Sequence, residues 1–203
     1  RPFGQALGSV VDRLDETVAL VRTTITFSGM LATADEFAEA GRRSSALHDN
    51  RARQGLVQPL PEVLRFRAAL ACLAGVWGLA AGLAEAGDEL AEQTGRLGTR
   101  QDLLYPRAFV AAHVGDQETA RALALEGLVA AEASDNPRDL LRPLSVLGFL
   151  DFSLGDLVSA AASLERAAAI ASAACYVEPN WLRFHGDLVE TLIRLRRLGD
   201  ADT

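Results

Sequence analysis

Three histidines, His48, His113 and His185, are the first places to look for acid–base or metal chemistry in this chain. None belongs to an HExxH pair, whose two imidazoles one helical turn apart hold zinc, and neither a GxSxG nucleophile elbow nor a GxGxxG loop occurs. His113, beside Val114 and Gly115, reads as a cation at a helix C-terminus, facing the helix dipole. His185 and Asp187 could pair as acid and base, but residues two apart on a helix point to different sides. The acidic pairs Asp15-Glu16, Asp35-Glu36 and Glu89-Glu92 fall in helix first turns or on exposed faces, where solvation accounts for them. Cys72 and Cys175 stand in apolar helical surroundings with no second Cys or His at ligand spacing, so reduced, buried thiols are expected rather than a disulfide or a zinc site. The sequence therefore predicts no catalytic residue, no metal site and no cofactor in these residues.

All 20 basic residues are arginine and lysine is absent, the mark of a GC-rich genome. A phosphate-binding P-loop needs a lysine to reach the terminal phosphates, so the chain cannot carry that motif. A net charge of -7 and a pI near 5.0 leave no basic stripe to hold nucleic-acid phosphates, and no direct nucleic-acid contact is expected. With 203 residues and 49% hydrophobic content, the chain can bury one sizeable core or form an elongated repeat array. The start "RPFGQALGS" has neither an initiator Met nor a signal-peptide pattern, and the end "GDADT" falls where a further helix should begin. Both suggest a fragment of a longer cytoplasmic protein.

Helical elements must position whatever the chain presents. Leu7, Val11, Leu14, Val18, Val21 and Ile25 step by four and three, which overrides the strand propensity of "VALVRTTITFS". Thr33 and Glu36 in "TADE" form a capping-box pattern for the next helix. The segment Asp49 to Pro61 loses the periodicity and predicts a loop, followed by one long helix from Glu62 to Ala86. Within it the uncharged run Ala68 to Ala84 falls short of the roughly 20 strongly apolar residues of a membrane span, so a helix buried among others is expected and no membrane contact.

Four apolar runs end in Gly-Asp, at Gly87-Asp88, Gly115-Asp116, Gly155-Asp156 and Gly199-Asp200. Glycine can take the left-handed conformation that closes a helix, and the aspartate can accept from the orphan amides of the next one. The corners at Gly115, Gly155 and Gly199 are 40 and 44 residues apart, and "DLLYP" at Asp102 recurs as "DLLRP" at Asp139, 37 residues on. Such spacing means helical hairpins in series. Pro106 and Pro143 cost a hydrogen bond each unless they sit in a first helical turn, and the sequence leaves both options open.

The hairpin with Leu147-Gly148, Gly155-Asp156, Ala160, Leu164 and Ala167 resembles the tetratricopeptide repeat at that family's spacings. Around Gly115 only the turn, Ala120 and Gly127 match, and around Gly29 only the turn glycine, Ala34 and Gly41. From about Arg138 the chain is also similar to the C-terminal helical-repeat region of large ATP-binding LuxR-type transcription regulators of actinobacteria. Leu164-Glu165-Arg166-Ala167, Pro179, Phe184 and Asp187-Leu188-Val189-Glu190 carry that likeness over roughly 65 residues. It implies a module that receives an inducer or a protein or peptide partner and biases an ATPase upstream and a helix-turn-helix DNA reader downstream. In the tetratricopeptide register, Tyr105, Phe109, Arg142, Phe149 and Phe152 come from first helices, which line the inner surface in that family. They would suit an extended peptide or an anionic, partly apolar ligand. The alternative is that these aromatics, like Trp77 and Trp181, are core between hairpins.

The expectation is an all-α array of antiparallel helical hairpins, tetratricopeptide-like, forming a single domain with hairpins near 7–47, 62–98, 100–133, 137–174 and an incomplete 180–203. Its expected task is non-catalytic sensing and protein interaction in a LuxR-type regulator, with a free-standing scaffold or adaptor as the alternative. A cut array would also expose an apolar end face through which copies could form a homo-oligomer.

Overall fold

The last turn of every helix leaves carbonyls without intrahelical donors, and the way this chain satisfies them sets its architecture. The computed structural model describes residues 24–26, 28, 29, 31, 36–53, 55, 60–175, 182–197 and 199. These residues are all-helical, with no strand among them, and the principal helices follow in order. They are α1 (Phe37–Arg53), α2 (Leu60–Leu73), α3 (Trp77–Gln93), α4 (Leu97–Val114), α5 (Gln117–Glu132), α6 (Leu141–Leu154), α7 (Leu157–Ala173) and α8 (Phe184–Arg194). A 3₁₀ turn, Pro137–Leu140, leads into α6. Consecutive helices pack on one another as an array of antiparallel hairpins, and no described helix is long and apolar enough to cross a membrane. The chain forms two compact units, residues 1–106 and 107–203.

Left-handed residues punctuate the array. Gly55, Gly75, Gly95 and Gly115 follow one another at 20-residue intervals, Gly155 stands 40 residues after Gly115, and Cys175 another 20 on. At Gly155 (φ 82°) the Gly155 amide donates to the Phe152 carbonyl at 3.1 Å and the Asp156 amide to the Asp151 carbonyl at 2.9 Å. The Asp156 carboxylate then accepts from the Ser159 amide at 3.1 Å and caps α7, and Asp116 does the same for α5 through Thr119. The Gly-Asp reading holds at these two corners. It fails at Gly87-Asp88, which lies inside α3. There Gly87 is buried where an added Cβ would stand 3.2 Å from a Leu103 methyl, and Asp88 binds Arg100 at 3.0 Å.

The long helix expected from Glu62 to Ala86 is two helices. Gly75 (φ 71°) closes α2, and its amide and that of Val76 donate to Cys72 and Ala71. The residue after Gly75 is valine and the one after Gly95 is arginine, so neither corner carries the aspartate that drew attention elsewhere. The expected loop from Asp49 is also shorter, since α1 runs to Arg53 and α2 begins at Leu60. Gly29 is helical and not a turn. The early stripe Leu7 to Val21, the Thr33 cap, Pro179, Trp181 and Asp200 lie outside the described residues. Pro143 occupies the first turn of α6, where its missing N–H is harmless, whereas Pro106 stands in the middle of α4, buried. Cys72 lies near the Pro106 carbonyl, with its sulfur 3.9 Å away.

Small residues set the distances between helices. In the first unit Ala68, Ala84, Ala91 and Leu103 pack together where α2, α3 and α4 meet. In the second, Ala111, Ala120 and Leu150 do so for α4, α5 and α6. Ala160, Leu164 and Ala167 of α7 are fully buried, and Leu164 packs over Gly148 of α6 in the space a side chain there would need. Arginines tie elements over the top of these contacts. Arg121 of α5 meets the buried Asp151 of α6 at 2.5 Å, Arg166 of α7 meets Glu132 of α5 at 3.0 Å, and Arg96 meets Glu62 of α2 at 2.7 Å.

Gly148→Ala should therefore destabilise the second unit by about 1–3 kcal/mol through overpacking. Combined with Leu164→Ala it should cost clearly less than the two single effects added, because the truncated leucine makes room for the new methyl. Urea unfolding of the four variants of the cycle measures the coupling, and strict additivity would contradict the packing described.

Candidate functional site

The last two turns of α4 and the middle of α6 are first helices of their hairpins, and their half-buried aromatic side chains meet in the second unit. Phe109 and His113 are four apart on one face of α4, and Phe149 comes from α6. The His113 ring lies parallel to Phe149, centroids 4.2 Å apart at an angle of 8°, and tilted against Phe109 at 4.2 Å. Phe109 and Phe149 are 6.4 Å apart, within the range of an attractive aromatic pair. One turn beyond Phe149 stands Phe152, and the Arg194 guanidinium of α8 lies over its ring, 5.2 Å from the centroid. Arg142, Phe149 and Phe152 fall along one side of α6 by helical spacing, each half-exposed. The Arg142 carbonyl accepts from the Ser145 hydroxyl at 2.7 Å, which fixes the backbone from which the guanidinium extends.

Of the five residues singled out in the sequence, Phe109 and Phe149 are brought together, with Phe152 one turn away and Arg142 on the same helix. Tyr105 is half-buried and belongs to the first unit. The five are neither fully buried nor freely exposed. Of the other participants, His113 departs from its sequence reading and Arg194 has none. His113 was expected as a cation at the helix end, but its Nδ1–H donates to the Phe109 carbonyl at 2.8 Å and its ring is sandwiched in an apolar stack. Burial lowers its pKa below the ordinary 6.5, against the smaller opposing effect of that hydrogen bond, so the ring is neutral at pH 7. Arg194 carried no motif, and its place over Phe152 depends on how α8 packs on α6, a contact no local pattern encodes.

The other reactive groups stay apart. His185 stacks on Phe184 with centroids 4.1 Å apart and burial lowers its pKa, while burial raises that of Asp187. Cys72 is buried and its thiol is pushed up to about 12 by desolvation, so no thiolate nucleophile forms there. Cys175 is exposed in a left-handed turn, contrary to the expectation of two buried thiols. Among the described residues no three His, Cys, Asp or Glu side chains are placed to hold a metal ion. The second unit thus carries a half-exposed aromatic shelf, with Arg194 over Phe152 and Arg142 on the same side of α6 as Phe149. No protein-family model matches this chain, and no curated protein matches its sequence.

The lowered His113 pKa has a definite sign. The unfolded state takes up the proton first as pH falls through about 6.5, so this residue contributes stability at neutral pH that diminishes on acidification. His185 acts in the same direction. The drop in melting temperature between pH 7.5 and 5.5 should therefore be smaller in His113→Phe than in the parent chain, and a drop of the same size would show that the ring is not held neutral.

Proposed function

We propose that this chain is a non-catalytic recognition module, whose second unit uses the face bearing Phe109, His113, Phe149, Phe152, Arg142 and Arg194 to bind an extended peptide or an anionic, partly apolar ligand. The observation that carries this reading is the half-exposed stack of Phe109, His113 and Phe149, with Arg194 over the neighbouring Phe152 and Arg142 along the same side of α6. A purely structural cluster would gain more by full burial, and exposed aromatics next to guanidinium groups are typical anchors of recognition surfaces. The finer reading is that the module serves a LuxR-type transcription regulator, receiving an inducer or partner for ATPase and DNA-reading parts encoded elsewhere in the same frame. The similarity around Leu164-Glu165-Arg166-Ala167 and Asp187-Leu188-Val189-Glu190 supports it, as does the succession of helical hairpins.

Peptides selected from a displayed random library against the 203-residue chain provide the test of the surface. Their affinity should fall about 10-fold or more in Phe149→Ala and in Arg142→Ala variants of unchanged helicity and melting temperature. Unchanged affinities in both would remove the surface from consideration. The intact reading frame decides the finer point: a lysine-bearing phosphate loop before Arg1 and a basic helix-turn-helix after Thr203 are expected. A frame holding neither would leave a scaffold or adaptor.

A further inference from the structure

Two features of the described residues lie outside the aromatic face. One is a cavity of about 490 Å³ in the first unit, lined by Glu62 and Arg65 of α2 and by Thr99 and Asp102 of α4, so that both signs of charge meet in it. The other is the outer side of α8 in the second unit, whose residues specify what would cover it. Helix α8 packs on α7 and α6 and buries Phe184, Thr191 and Leu192. On its opposite side Gly186, Val189, Glu190 and Ile193 recur at helical spacing, and all four are exposed. Val189 is 41% and Ile193 49% exposed, and a Cβ added at Gly186 would meet open space.

This side is built like one that receives a helix. Helix α8 ends as α6 does: Arg196 is left-handed, its amide donates to the Ile193 carbonyl at 2.9 Å, and the Arg197 amide donates to the Leu192 carbonyl at 2.9 Å. Gly155 and Asp156 make the same bonds to Phe152 and Asp151. Aligned on these left-handed residues, Val189 takes the place of Gly148, which in α6 lies buried under Leu164 of α7. The charges of α8 are sorted along its axis. Asp187, Glu190 and Arg194 share one flank by helical spacing, the two acids first and the arginine in the last turn. Burial, and after it the charge of Glu190, raise the Asp187 pKa, so the acidic stretch repels itself.

Such a flank is complementary to itself in one sense only. A second α8 laid antiparallel sets the acids of each helix beside the arginine of the other and opposes the two helix dipoles, whereas a parallel copy sets like charge against like. Antiparallel pairing of identical helices is what a two-fold axis produces. A guanidinium over a ring still donates through its edge, so Arg194 can keep its place on Phe152 while meeting a carboxylate. We propose that this side of α8 is a dimerisation face. On it α8 of a second copy packs antiparallel, with Val189 and Ile193 in the apolar seam, Gly186 allowing close approach, and Glu190 beside Arg194 of the partner subunit. An 11-residue helix is about 16 Å long, so the contact is small and the dimer reversible, with a Kd in the micromolar range or weaker. The dimer would carry two aromatic faces, but its formation does not depend on whether those faces bind a ligand.

Sedimentation equilibrium of the 203-residue chain, from about 10 µM to about 1 mM, should show a monomer–dimer equilibrium. Val189→Glu and Ile193→Glu change exposed positions and should each weaken the dimer about 10-fold or more at unchanged melting temperature. Glu190→Arg and Arg194→Glu should each weaken self-association by setting like charges side by side. An equimolar mixture of those two variants should form a heterodimer tighter than either homodimer, a rescue that damage to folding would not give. A monomer throughout the concentration range would overturn the proposal and leave the face to a different partner. A dimer of unchanged affinity in Ile193→Glu would place self-association elsewhere and overturn it equally, and a mixture no tighter than its separate components would overturn the antiparallel pairing.

Discussion

Closure of helices by left-handed residues, at Gly75, Gly95, Gly115, Gly155 and Cys175, is the constraint on which the rest of this structure depends. A helix that ends with unsatisfied carbonyls in a packed array would bury polar groups without partners, at a cost comparable to several favourable contacts. Here the two amides after the last turn fold back onto those carbonyls at Gly75, Gly95 and Gly155, and after Gly115 the Asp116 amide donates to the Ala111 carbonyl. These residues recur at 20-residue steps from Gly55 to Gly115, helices α1 to α7 run 14 to 18 residues, and each hairpin occupies about 40 residues between Gly75, Gly115 and Gly155. The tetratricopeptide repeat, at ~34 residues, has shorter helices than this chain. Cys175 (φ 49°) and Arg196 (φ 60°) take the same conformation without being glycine, so the rhythm persists where a side chain makes it unfavourable.

Equal helices pack well only if they approach closely, and alanine and glycine supply that approach. Ala80, Ala84 and Ala91 of α3, Ala120 and Ala124 of α5, and Ala160 and Ala167 of α7 are all buried on second helices of hairpins. Larger residues fill the spaces these leave, as Leu103 does against Gly87 and Leu164 against Gly148. The alanine-rich second helices thus act as spacers, and the bulkier and more varied residues are left to the first helices. That division explains why the aromatic stack of the second unit and the polar cavity of the first both draw on first helices: α4 and α6 in one case, α2 and α4 in the other.

The same architecture presents an apolar, arginine-flanked shelf in one unit and a mixed-charge cavity in the other because the residues that line them are not the small buried ones that set the helix spacing. His113 shows how tertiary context assigns a role. On an isolated helix it would be a solvated base near a helix end, while between Phe109 and Phe149 it becomes a neutral aromatic plate. Asp151 shows the converse, a charge carried into the interior of the array and tolerated because Arg121 reaches it from the neighbouring helix.

Helical periodicity and the glycines were sufficient to determine that this chain is all-α and built of hairpins, since both are properties of neighbouring residues along the chain. The capping roles of Asp116 and Asp156 and the small-large-small pattern of Ala160, Leu164 and Ala167 were legible for the same reason. Gly87-Asp88 has the same local letters as Gly155-Asp156, yet it lies inside a helix because Leu64 and Leu103 pack against Gly87 and continued helix there buries more surface than a turn would. The break at Gly75 was hidden in an uncharged run whose composition favours helix on both sides. Phe109 and Phe149 could be named from the repeat register, but the insertion of His113 between them, the placing of Arg194 over Phe152, and the meeting of Arg65, Thr99 and Asp102 around one cavity were decided only by the tertiary structure. These contacts join residues on different helices, and their geometry follows from how closely those helices approach, which the order of residues along any single helix does not specify.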